Sequence, residues 1–543
     1  MRAQPEAFIF TGRDFLRNKK DKLNQKGKLK KMIKTGRRKR KFRFLPAAAL
    51  SVLLCASAAV TANAEEEKIL KAGVAFNIAS MDAHQDYYGW YTNVYGVTEE
   101  LFHLNASFEV EPWLAEDAQN DGNIWTVTLK DGIAFSNGKA VTADMVVRNL
   151  ERAAQVNERF AYLAEFEMEA VDERTFTITT PEVYPTLKND LASPELAIMD
   201  LDASEDLDHA PVCTGPFVVK EFEPNGDLVK VVRNENYWNG EAKLDEAWFY
   251  YMQDDDTKQM ALQNGEIDCY DFVSASAAEI YEADPEHYHV TVLPAARLQF
   301  YILNEDRMDD ALRQAVNLIV DKDAIASYLG GTVTPAEGPF STEAAYGQVS
   351  VPDADVQKAQ QVLEADGYIL NDNGFYEKDG QEANLNISYY AARSLDTIAV
   401  LIQEELKNAG INSYLVCEED PDSTYIATGD FDLALYCMIA DKAGDPYYFI
   451  DSTLREGSYF DVGGFDSEEC EALIDQLKYE TDTEERARLA NEIVQIAVDD
   501  NAFGYVGLFN KITVTLPGVT GFAENLPYDF YGVDVNSDKE ADL

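Results

Sequence analysis

The sequence contains few of the residues that most often carry catalysis or bind metals. Its 543 residues include five histidines and six cysteines, and the cysteine spacings match neither a metal knuckle nor a redox pair. The sequence contains neither a nucleophile elbow nor a zinc-protease helix motif. A hydrolase with paired carboxylates stays open, because acids are abundant, but it requires a fixed carboxylate separation and a raised pKa. The composition argues against an enzyme and predicts no cofactor and no metal centre.

Basic residues are also scarce outside the first 64 residues. The chain has 46 Lys and Arg against 97 Asp and Glu; 17 and three of these precede Phe44, which leaves 29 basic and 94 acidic residues after Ala64. Such a negative surface repels nucleic acid and anionic lipid, so we expect no nucleic-acid partner. Acid clusters such as residues 254–256 do not follow a calcium-loop pattern.

The N-terminal 64 residues have the order of a secretory signal. A basic stretch is followed by a charge-free apolar run over residues 44–60 and then by Ala62-Asn63-Ala64. This order predicts a basic extension plus signal over residues 1–64 and an exported protein, placed at the cell surface or in the periplasm. Met32 is an alternative start of translation. A lipid anchor on Cys55 would need a small residue at Leu54, and an uncleaved tether is a further alternative.

The remaining residues alternate between strand and helix patterns, which predicts mixed α/β lobes. Trp125, Val127 and Leu129 alternate with polar residues as in a half-buried strand. Thr142 then caps a helix with apolar residues at helical spacing, and the same order recurs over residues 355–367, where Gly367 ends the helix. The roughly 480 residues that follow the signal are more than a single hydrophobic core usually spans, so two or more lobes are expected. Because no Pro/Gly/Ser-rich linker interrupts them, we expect the chain to cross between lobes more than once.

A series of short segments carries a resemblance to a known family. The segments are residues 111–115, 125–139, 214–217, 233–238, 262–268, 303–304, 311–317, 402–411, 429–433 and 445–446. In order and spacing they resemble the extracellular solute-binding protein family 5, which serves peptide, dipeptide and nickel ABC importers. Most of the segments taken singly are turn or packing residues, so they identify the family without contacting a solute.

The resemblance implies a two-lobed α/β fold of the periplasmic-binding-protein type II, with an extra subdomain inserted in the first lobe. We expect the first lobe over residues 65–108 and 214–296, the inserted subdomain over 109–213, the second lobe over 297–505, and completion of the first lobe by 506–543. The crossing strands are expected near residues 297–304 and 505–510. Such lobes close on a ligand by a hinge motion, and the ligand stabilises the closed state.

The resemblance also implies a function as the receptor of an ABC importer. We expect a monomer that captures short peptides or another small solute and delivers them to the permease subunits. A nickel-chelate receptor is the alternative within the family: the five histidines make a direct nickel site unfavourable, but nickel bound in a small organic chelator stays open. A sensory receptor that reports the solute is a third hypothesis.

The resemblance, taken together with the chemistry of a free peptide, implies the candidate site residues. Its amine needs an acid and its carboxylate needs a guanidinium, placed across the cleft. Asp441, shortly before Asp445-Pro446, is the candidate for the amine. Arg393, Arg159 with the neighbouring Tyr162, and Arg297 are the candidates for the carboxylate. The aromatic residues Tyr87, Tyr88 and Trp90 are the candidates for one wall of the cleft, with core packing as the alternative.

Overall fold

The computed structural model describes residues 67–203, 206–523, 528 and 530–540. The predicted signal over residues 1–64, including Cys55, lies outside this part of the chain. The fold is mixed α/β with two lobes, as predicted. Within the described residues, no helix is both long and apolar enough to cross a bilayer.

Twenty-two strands occur in the described residues. They are β1 (Ile69–Val74), β2 (Phe102–Leu104), β3 (Val110–Pro112), β4 (Ala115–Asp121), β5 (Ile124–Leu129), β6 (Glu167–Ala170), β7 (Thr175–Thr179), β8 (Phe217–Glu221), β9 (Leu228–Arg233), β10 (Glu246–Tyr251), β11 (Cys269–Asp271), β12 (His289–Leu303), β13 (Val333–Pro335), β14 (Ile369–Leu370), β15 (Tyr376–Lys378), β16 (Gln381–Glu382), β17 (Asn384–Tyr390), β18 (Asn412–Glu418), β19 (Leu433–Ile439), β20 (Phe503–Thr515), β21 (Val519–Thr520) and β22 (Asp538–Lys539).

Helices separate many of these strands. The α-helices of the described residues are Tyr88–Val94, Ala143–Val156, Leu187–Asp190, Asp255–Gln263, Ala275–Glu282, Asp310–Ile319, Lys322–Tyr328, Val356–Ala365, Leu395–Ala409, Tyr425–Thr428, Tyr447–Thr453, Glu468–Tyr479 and Thr483–Asp499. Three 3₁₀ helices cover Glu158–Glu165, Pro194–Leu196 and Ala345–Gly347.

The local predictions from the sequence are largely confirmed. The alternating segment forms β5, and the helix after Thr142 spans Ala143–Val156. Thr142 occupies the N-cap position, but its hydroxyl makes no capping hydrogen bond, so the prediction of a side-chain cap was wrong. Asp355 does cap the helix Val356–Ala365 through the Lys358 N–H, and Gly367 follows its end in a left-handed conformation.

One eleven-stranded sheet runs through both lobes. Its order is β18-β17-β19-β12-β20-β11-β1-β10-β9-β8, and β13 pairs with β20. We call the part with β1 and β8–β11 the first lobe, together with the described C-terminal residues 516–523, 528 and 530–540, and the part with β17–β19 the second lobe. A separate sheet, β4-β5-β7-β6, lies within the segment expected to form the inserted subdomain. The exact bounds of the lobes remain a prediction.

The long antiparallel strands β12 and β20 connect the lobes. β20 pairs with β11 near Thr513, whereas β12 pairs with β19 from Arg297 onwards. Between these regions the pairing of β12 with β20 is irregular, because residues 295–297 of β12 oppose Phe509 alone. A bulge of this kind bends a strand and changes the direction of its side chains. The connection between the lobes therefore contains a built-in bend.

Glycine is required at position 347, directly after Tyr346 in the 3₁₀ turn Ala345–Gly347. A Cβ atom added there would overlap the backbone carbonyl oxygen of Ser341. We expect Gly347→Ala to lower the free energy of unfolding by about 1–3 kcal/mol, because a backbone atom cannot move aside as a side chain can. Chemical denaturation measures this loss.

The matched control is Gly457→Asn. Gly457 has φ +71° and open space around its Cα, and Asn accepts this backbone conformation, so we expect a change within about 0.5 kcal/mol. Equal stability of Gly347→Ala and the wild type would contradict the described packing of this turn.

Candidate ligand-binding cleft

The carboxyl ends of two groups of strands face each other across the region where β12 and β20 connect the lobes. In the first lobe β1 runs parallel to β10 and β11, and in the second lobe β17 runs parallel to β18 and β19, so each group of strands ends at one edge. Asp271 at the end of β11 is level with Thr291 of β12, and Ile439 at the end of β19 is level with Arg297. The edges are therefore six residues, or about 20 Å, apart along β12. Ligands of α/β folds bind outside such carboxyl ends.

Backbone strain concentrates in the loops that follow these strands. Ten non-glycine residues of the described part have positive φ angles. Five of them lie in these loops, namely Asp86, Phe272, Arg393, Ser394 and Ala443. Strained conformations of this kind cost free energy and are retained preferentially at functional sites. Their placement agrees with a binding site between the two edges.

Arg297 and Arg393 differ from the other arginines of the described part, because neither forms an ion pair with a described carboxylate. Twelve arginines follow residue 64, all in the described part. Ten of them form ion pairs with Asp or Glu side chains of the described residues, and Arg297 and Arg393 do not. In a chain with so many acids, this absence is informative. It leaves two positive charges without a carboxylate at the second-lobe edge.

The two guanidinium groups lie close together around Cys437. Both oppose the rise in the pKa of the Cys437 thiol that its burial causes. They also oppose the rise in the pKa of the Tyr390 hydroxyl, which burial raises to about 12. Gln299 fixes the strained loop, since its Nε2 donates a 2.6 Å hydrogen bond to the Arg393 carbonyl oxygen. Arg297 belongs to the bulge of β12. These predicted residues therefore form one cationic patch.

Arg159, Tyr162 and Trp90 belong to a different cluster, built from the helix Tyr88–Val94 and the segment expected to form the inserted subdomain of the first lobe. Arg159 donates a 2.5 Å hydrogen bond to Glu195, a buried acid whose pKa is raised by burial and lowered again by Arg159 and Trp90. Tyr162 donates to the buried Asp190 at 2.6 Å. The guanidinium of Arg159 is thus already paired with an acid of its own lobe.

Asp441 is almost completely buried, with 3% of its surface exposed. Its Oδ1 accepts hydrogen bonds from the Tyr528 hydroxyl at 2.6 Å and the Gly444 N–H at 2.8 Å, and its Oδ2 accepts from Tyr346. Burial raises the pKa of Asp441 to about 6, while these donors lower it. Its predicted contact with a peptide amine remains a prediction.

The bond between Asp441 and Tyr528 joins the two lobes. Tyr528 belongs to the C-terminal segment of the first lobe, whereas Asp441 follows β19 of the second. Two further contacts occur beside it: Asn189 Nδ2 donates to the Ala443 carbonyl at 2.9 Å, and Gly444 packs directly against the Phe108 backbone. The loop after β19 therefore forms direct contacts between the lobes.

The residues predicted to form the aromatic wall lie at the start of the first-lobe helix Tyr88–Val94. Tyr87 is the N-cap of Tyr88–Val94, and its ring centroid lies 5.7 Å from that of Tyr88 and 5.9 Å from that of Tyr91. Trp90 instead packs on Phe530, at 5.4 Å. The run of aromatic residues therefore splits between the loop after β1 and the contact with the C-terminal segment.

Sequence reasoning missed most of the tyrosines that bind the buried Asp190 and the half-buried Asp422. Tyr184 also donates to Asp190, at 2.7 Å, and Tyr436 and Tyr459 donate to Asp422 at 3.0 and 2.9 Å. One signal was available: the chain has 29 tyrosines and few cations to neutralise its acids.

Among the described residues no group of three His, Cys, Asp or Glu side chains is arranged to hold a metal ion.

The raised pKa of Asp441 gives a test of its burial. The unfolded chain binds this proton only below about pH 4, whereas the folded chain binds it up to about pH 6, so the wild type loses stability as the pH rises through this window. Asp441→Asn removes the loss. We expect the stability of the wild type relative to the variant to fall by on the order of 2–3 kcal/mol between pH 4 and pH 7, in urea unfolding curves.

Asp372→Asn, at an exposed loop position, is the control for this measurement. A stability difference between the wild type and Asp441→Asn that does not change between pH 4 and pH 7 would contradict the raised pKa of Asp441.

Comparison with known proteins identifies the chain. The family model "Bacterial extracellular solute-binding proteins, family 5 Middle" matches residues 109–461. The nickel-binding protein NikA of Staphylococcus aureus is 24% identical over 444 residues, which cover 81% of this chain and 88% of that protein. The glutathione-binding protein GsiB of Pectobacterium atrosepticum is 26% identical over 387 residues, 66% of this chain and 73% of that protein.

A solved structure gives the same result. The crystal structure of a nickel ABC transporter from Bacillus halodurans aligns with a TM-score of 0.81 at 26% identity and covers 87% of this chain and 100% of that one. The predicted resemblance and the predicted two-lobed fold are therefore confirmed. With its match over residues 109–461, the chain belongs to the bacterial extracellular solute-binding proteins of family 5, a family of transport receptors.

Proposed function

We propose that this protein is the extracellular receptor of an ABC importer and that it captures a small solute through the carboxylates of that solute. The observation that carries the proposal is the pair Arg297 and Arg393, which have no carboxylate partner among the described residues although ten other arginines do. Guanidinium groups bind carboxylates through paired, charge-assisted hydrogen bonds. Export and delivery to permease subunits follow from the family and belong to the same proposal.

The first candidate solute is a transition-metal chelate of the nickel type. The nickel-binding relative supports it, and a chelator carries the carboxylates that the arginines require. Because no described cluster of side chains provides a metal site, the metal would enter already coordinated by its chelator. The acids next to the cleft support this choice: Asp441, Asp190 and Glu195 each already accept hydrogen bonds from protein groups, so a free amine is not needed to satisfy them.

A short peptide is the second candidate. The glutathione-binding relative supports it, since glutathione is a tripeptide with two carboxylates. Peptide binding would place the carboxylate on Arg393 and Arg297, and the amine would have to displace Tyr528 or Tyr346 from Asp441. Both candidates use the same pair of arginines, and they differ in the need for Asp441.

Calorimetric titration and thermal shift with defined solutes distinguish the candidates. The solutes are Ni²⁺ alone, Ni²⁺ with L-histidine, L-histidine alone and tripeptides such as Gly-Gly-Phe. We expect Ni²⁺ with L-histidine to raise the Tm and Ni²⁺ alone to leave it unchanged, because binding to the folded state raises stability by mass action. Binding of tripeptides without the chelate would make the second candidate correct.

The arginine variants test the shared part of the proposal. Arg297→Gln and Arg393→Gln should each weaken binding by about 10- to 100-fold, the range for a lost charge-assisted hydrogen bond. The matched control is Arg488→Gln, an exposed arginine paired with Glu485 and Glu492 on the helix Thr483–Asp499, with unchanged binding expected. Wild-type affinity in both cleft variants would refute the proposal.

A further inference from the structure

Two phenylalanines stand exposed at the first-lobe edge of the cleft. Phe76 follows β1 and Phe272 follows β11, and these strands are parallel neighbours, so both residues occupy the same edge. Phe76 is 50% exposed and Phe272 is 40% exposed. Their ring centroids lie 5.9 Å apart at 86°, an edge-to-face pair, and the Tyr91 ring lies 5.9 Å from Phe76 on the other side. Paired aromatic rings left open to water are typical of binding surfaces.

The backbone at Phe272 is strained and held in place. Its φ is +53°, a conformation that glycine or asparagine adopts more easily than phenylalanine. Lys258, only 2% exposed, donates hydrogen bonds from Nζ to the carbonyl oxygens of Asp271 at 2.8 Å and Phe272 at 3.4 Å. A buried lysine therefore fixes the turn that carries an exposed ring. Core packing does not explain this arrangement, since the ring is not in the core.

The rings and the arginines occupy opposite edges of one cleft. Phe272 follows Asp271, which is level with Thr291, and Arg297 lies six residues further along β12. The first-lobe edge thus offers flat apolar surface, and the second-lobe edge offers positive charge. A solute between them meets both when the lobes close.

We propose that Phe76, Tyr91 and Phe272 form an aromatic subsite that packs on a flat ring of the solute while the carboxylates of that solute bind Arg297 and Arg393. The inference rests on the proposed function and narrows its substrate class to carboxylate-bearing solutes that also carry an aromatic or heteroaromatic ring, such as an imidazole or a phenyl group. Solutes with the same carboxylates but without a ring bind more weakly.

The test compares two nickel complexes that differ in the ring. One solute is Ni²⁺ with L-histidine, and the other is Ni²⁺ with an excess of glycine as the chelator. Both complexes present amine and carboxylate groups, but only the first carries imidazole rings. We expect the wild type to favour the histidine complex. The double variant Phe76→Leu/Phe272→Leu should reduce this preference by about 2- to 10-fold, the range for loss of aromatic pairs, with little change for the glycine complex. Leucine keeps the site apolar and keeps a side chain at the strained position.

Tyr414→Leu is the matched control. Tyr414 is an exposed aromatic residue of strand β18, away from the loops that follow the strand ends, and its loss should leave the preference unchanged. The Tm of each variant, measured without solute, shows that it is folded. If no nickel complex binds, the same ratio is measured with Gly-Gly-Phe and Gly-Gly-Leu.

The outcomes separate this inference from the proposed function. In one outcome, the double variant Arg297→Gln/Arg393→Gln no longer binds either of the two compared solutes, and the phenylalanine variant keeps the wild-type preference. The aromatic subsite is then refuted, while the receptor function stands. If the arginine variant binds like the wild type, the proposed function fails. A reduced preference in the phenylalanine variant, but not in Tyr414→Leu, supports the subsite.

Discussion

The structure depends on how a chain with a large excess of acids neutralises the carboxylates it buries. Water is excluded there, and a buried charge without a partner is costly. Cations are too few, so tyrosine hydroxyls act as the donors: the buried Asp190 and Asp441 and the half-buried Asp422 each accept hydrogen bonds from two of them. A tyrosine ring also fills apolar space, so each pair satisfies a carboxylate and packs the core at once. Most arginines are used in the same way, as partners of acids.

Because most arginines pair with acids, the arginines that do not are informative. Within the described residues ten arginines pair with acids and two do not, and these two, placed in a bulge and in a strained loop at one edge of the sheet, form a cationic patch that no described carboxylate neutralises. The opposite edge exposes phenyl rings, and the acids 254–256 follow its strand β10. The two edges therefore present different chemistry.

The sequence predicted the fold well because the family segments are turn and packing residues, whose effects are local. The strand β5, the helix after it and the helix Val356–Ala365 all follow from short-range patterns. The candidate site was predicted only in part. Arg297 and Arg393 were found because basic residues are few, but their lack of partners is a property of the three-dimensional arrangement. Tyr528 could not be assigned to Asp441, since 87 residues separate them, and the exposure of Phe272 depends on a backbone angle that no pattern of phenylalanine indicates.

The single sheet that passes through both lobes limits the way in which they can move. Two hydrogen-bonded strands cross together, so one lobe cannot slide past the other without breaking the ladder between β12 and β20. The remaining freedom is a twist of this two-stranded ribbon where its pairing is interrupted, at residues 295–297 opposite Phe509. Arg297 lies in this interrupted stretch. A small change in the direction of the ribbon there, next to this arginine, would move the distant ends of both lobes by the largest amount.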